Sequence, residues 1–166
     1  LTTSPEAAAR VVTPTPAFLF AHPAHFLALG FGAGLSPKAP GTLGTLVAFP
    51  LFWLLADNPF YWVWMAAFLA VGVWACGIAG RNLGVHDHGG IVWDEIAAFL
   101  LILPFTPATP LGFVLAFALF RLFDIWKPFP IGWLDQRVHG GLGVMLDDLL
   151  AAAYALLCLL GVSAWM

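Results

Sequence analysis

An all-α membrane bundle is the fold class this sequence predicts, and three observations predict it. Of the 166 residues, 61% are hydrophobic and only 9% charged, with a mean hydropathy of +0.93; a soluble domain is about one quarter charged. Apolar stretches of helical length recur along the chain, separated by short polar or Pro-containing segments. The charge is gathered into three segments, 36–42, 81–95 and 121–148, rather than spread over a surface. The length suits one domain. Residues 1–16, rich in Pro, Thr and Ala, read as a flexible tail, and 17–166 as a single helical domain. The net charge is −3 and no run of Lys or Arg points to a polyanion, so no nucleic-acid partner is expected. Cys76 and Cys158 sit in apolar stretches and read as buried residues, not as a disulfide or metal framework.

The elements follow in order. Residues 17–35 are apolar but interrupted by His22, Pro23 and His25, which suits either an interfacial helix or one packed on the bundle. Span 43–56 comes next, then 60–79, which has the length needed to cross a bilayer. A hairpin of two shorter pieces, 96–103 and 111–123, precedes a last span, 149–165. The turns 57–59 and 104–110 are Pro-containing and hold one charge, Asp57. Counting passes puts the three charged segments on one side of the membrane. All six basic residues (Arg10, Lys38, Arg81, Arg121, Lys127 and Arg137) fall there, so the positive-inside rule makes that side cytoplasmic. The eight tryptophans are expected mainly in interfacial belts.

That face also collects acids. Asp94 and Glu95 precede one apolar run, and Asp147 and Asp148 another. Ionisable groups at the ends of membrane helices are costly and point to function. Carboxylates converging from different helices are the hard oxygen ligands that Mg²⁺ takes. The plain alternative is helix capping, since acids favour a first turn. Arg121, Asp124 and Lys127 lie at i, i+3 and i+6 on one stripe until Pro128 stops the helix. They suit either a metal-binding acid flanked by phosphate-binding cations, or a salt-bridge ladder. In 36–45, Gly41 and Gly44 allow close backbone approach and Thr42 can cap, so the start of this helix with Lys38 is a candidate anion site. His86 and His88 flank Asp87, but no third clustered His and no Cys completes a zinc set, and His139 reads as a loop residue. No nucleophile elbow and no thiol beside an Arg is present, which leaves metal-assisted hydrolysis as the chemistry the charged face suits.

Four motifs in order, SPKAPGTLGTL (36–46), IVWDE (91–95), FRLFDIWKP (120–128) and MLDD (145–148), closely resemble the phosphatidylglycerophosphatase A family of bacterial inner-membrane lipid phosphatases. The resemblance runs from about Leu35 to Ala152. It departs at Ala98 and Ala152, where the family often carries Gly. It implies one central helix surrounded by others, and Mg²⁺-dependent hydrolysis of phosphatidylglycerophosphate to phosphatidylglycerol and phosphate at the cytoplasmic face. The expected metal ligands are Asp94, Glu95, Asp124, Asp147 and Asp148, with Glu95, Asp124 and Asp148 catalytic. Lys38, Thr42, Thr45, Arg121 and Lys127 are expected to hold the phosphate. The rival readings are a phosphatase for another lipid phosphate, and a transporter with cation- or proton-carrying acids. A transporter calls for charge at mid-membrane, whereas this chain places it at one face.

Overall fold

The computed structural model describes residues 11–165, which are mostly helical with no strand among them. Expectations resting on residues 1–10, Arg10 included, lie outside the described residues. Eight α-helices follow in order: α1 (Pro16–Ala21), α2 (Pro23–Ala28), α3 (Pro40–Leu55), α4 (Tyr61–Leu83), α5 (Trp93–Ile102), α6 (Pro110–Trp126), α7 (Ile131–Asp135) and α8 (Gly140–Trp165). Short 3₁₀ segments cover Gly30–Leu35 and Leu103–Phe105. Two stretches, Tyr61–Leu83 and Gly140–Val162, are long and apolar enough to cross a membrane.

The short helix α5 is the centre. It packs against α3, α4 and α8, and nine of its ten residues are buried. Ten residues rise only about 15 Å, half of a bilayer core of about 30 Å, so α5 ends inside the bundle. Its last carbonyls would be orphaned there. Tyr61 Oη donates to the Leu100 carbonyl at 2.6 Å, and Thr106 Oγ1 donates to that of Ile102 at 3.1 Å. The Trp93 indole donates to Phe68 O at 2.9 Å and fixes the other end against α4. Phe99 packs edge-on to Phe49 and Phe117 and lies beside Phe120, filling the space between α3, α5 and α6. A second cluster, with Ala75, Cys76, Ala79 and Met145, joins α2, α4, α5 and α8. Ala98 and Ala152 are both buried in the main cluster.

Several boundaries differ from the sequence expectation, each for a physical reason. Span 17–35 is broken into α1, α2 and a 3₁₀ segment, because Pro23 starts a new helix with His22 as its cap. α2 is packed on the bundle: Ala24 and Ala28 are fully buried. His25 Nδ1 donates to Phe18 O at 2.9 Å while its Nε2 accepts from Asn82 at 2.8 Å, one neutral tautomer serving both bonds. Val12 N donates to Leu83 O at 2.9 Å, so the end of the segment read as a tail lies against α4. α8 begins nine residues before the expected 149, which puts Asp147 and Asp148 two turns inside a helix. Cys158 is exposed on the outer face of α8 rather than buried.

Candidate active site

The starts of α3, α5 and α8 and the end of α6 meet at one end of the bundle. α3 comes in closely because it begins Pro40–Gly41. A β-carbon at Gly41 would collide with the Glu95 carboxylate and lie 3.0 Å from the Arg121 guanidinium. Around this junction is a cavity of about 400 Å³ lined by Ala39, Pro40, Gly41, Asp87, Asp94, Glu95, Arg121, Asp124, Lys127, Asp147 and Asp148, among others. A larger cavity, about 500 Å³, lies beside it around Arg81, His86 and Gly140.

The acids form two clusters. In the first, one oxygen each from Asp94, Glu95 and Asp148 lie within 4.8 Å of one another, and all three residues are buried. Asp94 and Glu95 sit in the first turn of α5, where free N–H groups favour negative charge. Arg121 Nη1 donates to Glu95 Oε1 at 3.1 Å and pairs with Asp124 at 2.5 Å. Asp94 Oδ1, Glu95 Oε2 and Arg121 Nε are buried without a partner. Buried unpaired carboxylate oxygens are expensive, and clustered ones are the donor set of a hard divalent cation. These residues therefore fit Mg²⁺.

The second cluster brings Asp87, Asp135 and Asp147 within the same 4.8 Å limit, with a cation already among them. Lys127 Nζ lies 2.5 Å from Asp147, 3.3 Å from Asp135 and 3.8 Å from Asp87. Burial alone would lower the lysine pKa, but the hydrogen bond to Asp147 and the three carboxylate charges outweigh it and hold the value above the ordinary one. Asp147 Oδ1 accepts from the Asp148 N–H at 3.1 Å, so both of its oxygens are engaged.

The structure thus sorts the expected residues. Asp94, Glu95 and Asp148 come together with Arg121 and Asp124 beside them. Asp147 belongs to the lysine cluster. Lys127 is not on the stripe of Arg121 and Asp124: it is the C-cap of α6 in a left-handed conformation (φ 45, ψ 57), and its ammonium is taken by carboxylates rather than left for phosphate. Thr45, expected at the phosphate, is fully buried and its hydroxyl donates to Gly41 O at 2.9 Å. Thr42 lies in the first turn of α3 and does not cap it; Ala39, left-handed, holds the cap position. Lys38 is exposed, next to the cavity-lining Ala39. His86 packs against His139 with ring centroids 4.9 Å apart, and His88 accepts from Gly90 N; neither joins a carboxylate cluster. Asp87 and Asp135 were not expected in the site. Neither falls in a doublet or on a helical stripe, so only their charge could have marked them.

Buried carboxylates with a guanidinium, at one end of an apolar helical bundle, suit an all-α membrane hydrolase that handles an anionic ester. The phosphatidylglycerophosphatase A family profile matches residues 26–163. Phosphatidylglycerophosphatase A of Escherichia coli is 44% identical over 133 residues, 78% of this chain and 77% of that protein. The Haemophilus influenzae protein of the same name is 42% identical over 150 residues, 87% and 91% of the two chains. A Bacteroides thetaiotaomicron protein named "Putative phosphatidylinositol-3-phosphatase" is 36% identical over 147 residues, 82% and 91%. No solved structure matches. The chain belongs to the phosphatidylglycerophosphatase A family, and it is a phosphatase.

Proposed function

We propose that this chain hydrolyses the terminal phosphate of phosphatidylglycerophosphate to give phosphatidylglycerol and inorganic phosphate, with Mg²⁺, at the cytoplasmic face of a bacterial inner membrane. The observation that carries the reading is the buried Asp94–Glu95–Asp148 cluster with orphaned oxygens beside Arg121. The names of the two closely similar relatives supply the substrate. Asp94, Glu95 and Asp148 would hold the ion, which when bound supplies charge neutralisation of the phosphate and a more acidic water. Arg121 keeps donors beyond its two carboxylate bonds and is aimed to receive phosphate oxygens. Lys38 at the cavity edge adds a mobile positive charge. Asp124 holds Arg121 and lines the cavity, where it is placed to take a proton as water oxygen bonds to phosphorus. The phosphorus–oxygen bond to glycerol then breaks, and the glycerol oxygen takes that proton back from Asp124, so the lipid leaves as an alcohol.

The test is phosphate release by the purified protein from phosphatidylglycerophosphate, with Mg²⁺ and with chelator. Release that needs Mg²⁺ is expected; full release from metal-free protein in chelator overturns the mechanism. The Bacteroides relative favours a second reading, a phosphorylated inositol lipid as substrate. A higher kcat/KM for phosphatidylinositol phosphate than for phosphatidylglycerophosphate in the same assay would select it.

A further inference from the structure

The two carboxylate clusters touch through consecutive residues, Asp147 and Asp148, yet only one has orphaned oxygens. We propose that Lys127 is a tethered counter-ion that fills the Asp87–Asp135–Asp147 cluster, so that the centre takes a single divalent ion at Asp94, Glu95 and Asp148. This rests on the metal reading of the first cluster and extends it to the number of ions.

Each cluster has the donor set of a divalent site, three carboxylate oxygens from separate side chains within 4.8 Å. In the second, the lysine ammonium stands where a cation would, with distances of 2.5, 3.3 and 3.8 Å to the three acids. An ammonium has three N–H donors and no acceptor, so it can give one to each carboxylate and none to a phosphate without breaking a pair. The backbone is bent to deliver it. Lys127 takes a left-handed φ of 45, which a non-glycine residue adopts only where its surroundings hold it. Its N–H caps α6 on Phe123 O, and Pro128 prevents the helix from continuing. The cation is therefore covalently attached and always present, whereas a second metal ion would come and go. The ion pair also turns Asp147 away from the first cluster. Asp147 Oδ2 faces the lysine and Oδ1 accepts from the Asp148 N–H, which leaves Asp148 alone to represent α8 beside Asp94 and Glu95. Lys127 is on this account a positioning residue that sets metal stoichiometry.

The probe is Mn²⁺, titrated by calorimetry and followed by electron paramagnetic resonance into the full chain in detergent. Wild type should bind about one ion per chain, with no spin coupling between ions. Lys127→Met removes the charge and keeps the side-chain length; it should bind about two, coupled through their proximity. Adding Asp135→Asn to that variant should return the count to about one, and Lys127→Arg, which keeps a positive charge, should stay at one. If Lys127→Met does not fold, wild type against Asp135→Asn decides. One ion in both supports the proposal; two in wild type and one in Asp135→Asn overturns it. A folded Lys127→Met that still binds one ion overturns it while leaving the metal reading intact. Wild type that binds no Mn²⁺ overturns both.

Discussion

Asp147 and Asp148 are neighbours in sequence with different tasks. Asp147 is fully engaged, by Lys127 on one oxygen and a backbone N–H on the other. Asp148 faces Asp94 and Glu95. Asp148→Asn should therefore abolish Mg²⁺ binding by calorimetry and lower kcat by about 100-fold or more. Asp147→Asn should keep at least one bound ion and lose about 1–3 kcal/mol of stability through its broken charged hydrogen bond, read by thermal unfolding. Equal metal affinity in the two variants would reverse the assignment. Gly41 carries a third expectation at this scale. Gly41→Ala should cost about 1–3 kcal/mol of strain, and because the added methyl meets Glu95 and Arg121, activity should fall further than stability accounts for. Adjacent helical residues point about 100° apart, and Asp147 and Asp148 do divide between the two clusters, whereas Asp94 and Glu95 both enter the first. The sequence could not show this division, because the acids that share a cluster with Asp147, Asp87 and Asp135, stand outside the doublets.

At the scale of elements, α5 concentrates the architecture. Its N-terminal turn holds the acids, and its C-terminal turn stops inside the bundle with carbonyls that need donors. Tyr61→Phe removes the donor to Leu100 and should cost about 1–3 kcal/mol in thermal unfolding, the penalty for a buried unsatisfied carbonyl. Metal affinity should be unchanged, since Tyr61 lies at the other end of α5; a loss of both would mean that the hydroxyl positions the site. The long apolar helices were legible, because length and hydropathy are local properties: α4 was expected at 60–79 and runs Tyr61–Leu83. The start of α8 was not. Three glycines at 140, 141 and 143 disfavour a helix locally, yet they open one, and at Gly141 the packing demands it: a β-carbon there would strike the Val73 carbonyl of α4. Helix-to-helix distance overrode local preference there.

Across the whole molecule, the two ends of the bundle differ in chemistry. The basic residues within the described range (Lys38, Arg81, Arg121, Lys127 and Arg137) lie at the carboxylate end, while the far end is the turns at 57–59 and 104–110. Exposed Trp126 and Trp133 flank the first end, and Trp53 and Trp62 the second, as two interfacial belts would. Trp93 departs from this, buried and bonded to α4. An introduced cysteine at Gly89, where a side chain meets no atom within 4 Å, should react with membrane-impermeant reagents only from the cytoplasm. One at Asn58 should react only from outside; the opposite pattern would invert the orientation.

The order in which the chain supplies its acids has a consequence for biogenesis. Asp94 and Glu95 arrive on α5, Arg121 and Asp124 on α6, and Asp148 only on α8, which also packs along α4, α5 and α6. Segments emerge from the ribosome N-terminal first. A nascent chain that has reached α6 therefore carries both Arg121 and Glu95, but it lacks the third carboxylate of the cluster. On the proposed mechanism a chain cut before Asp148 should therefore release no phosphate at all, rather than release it slowly, in the same assay.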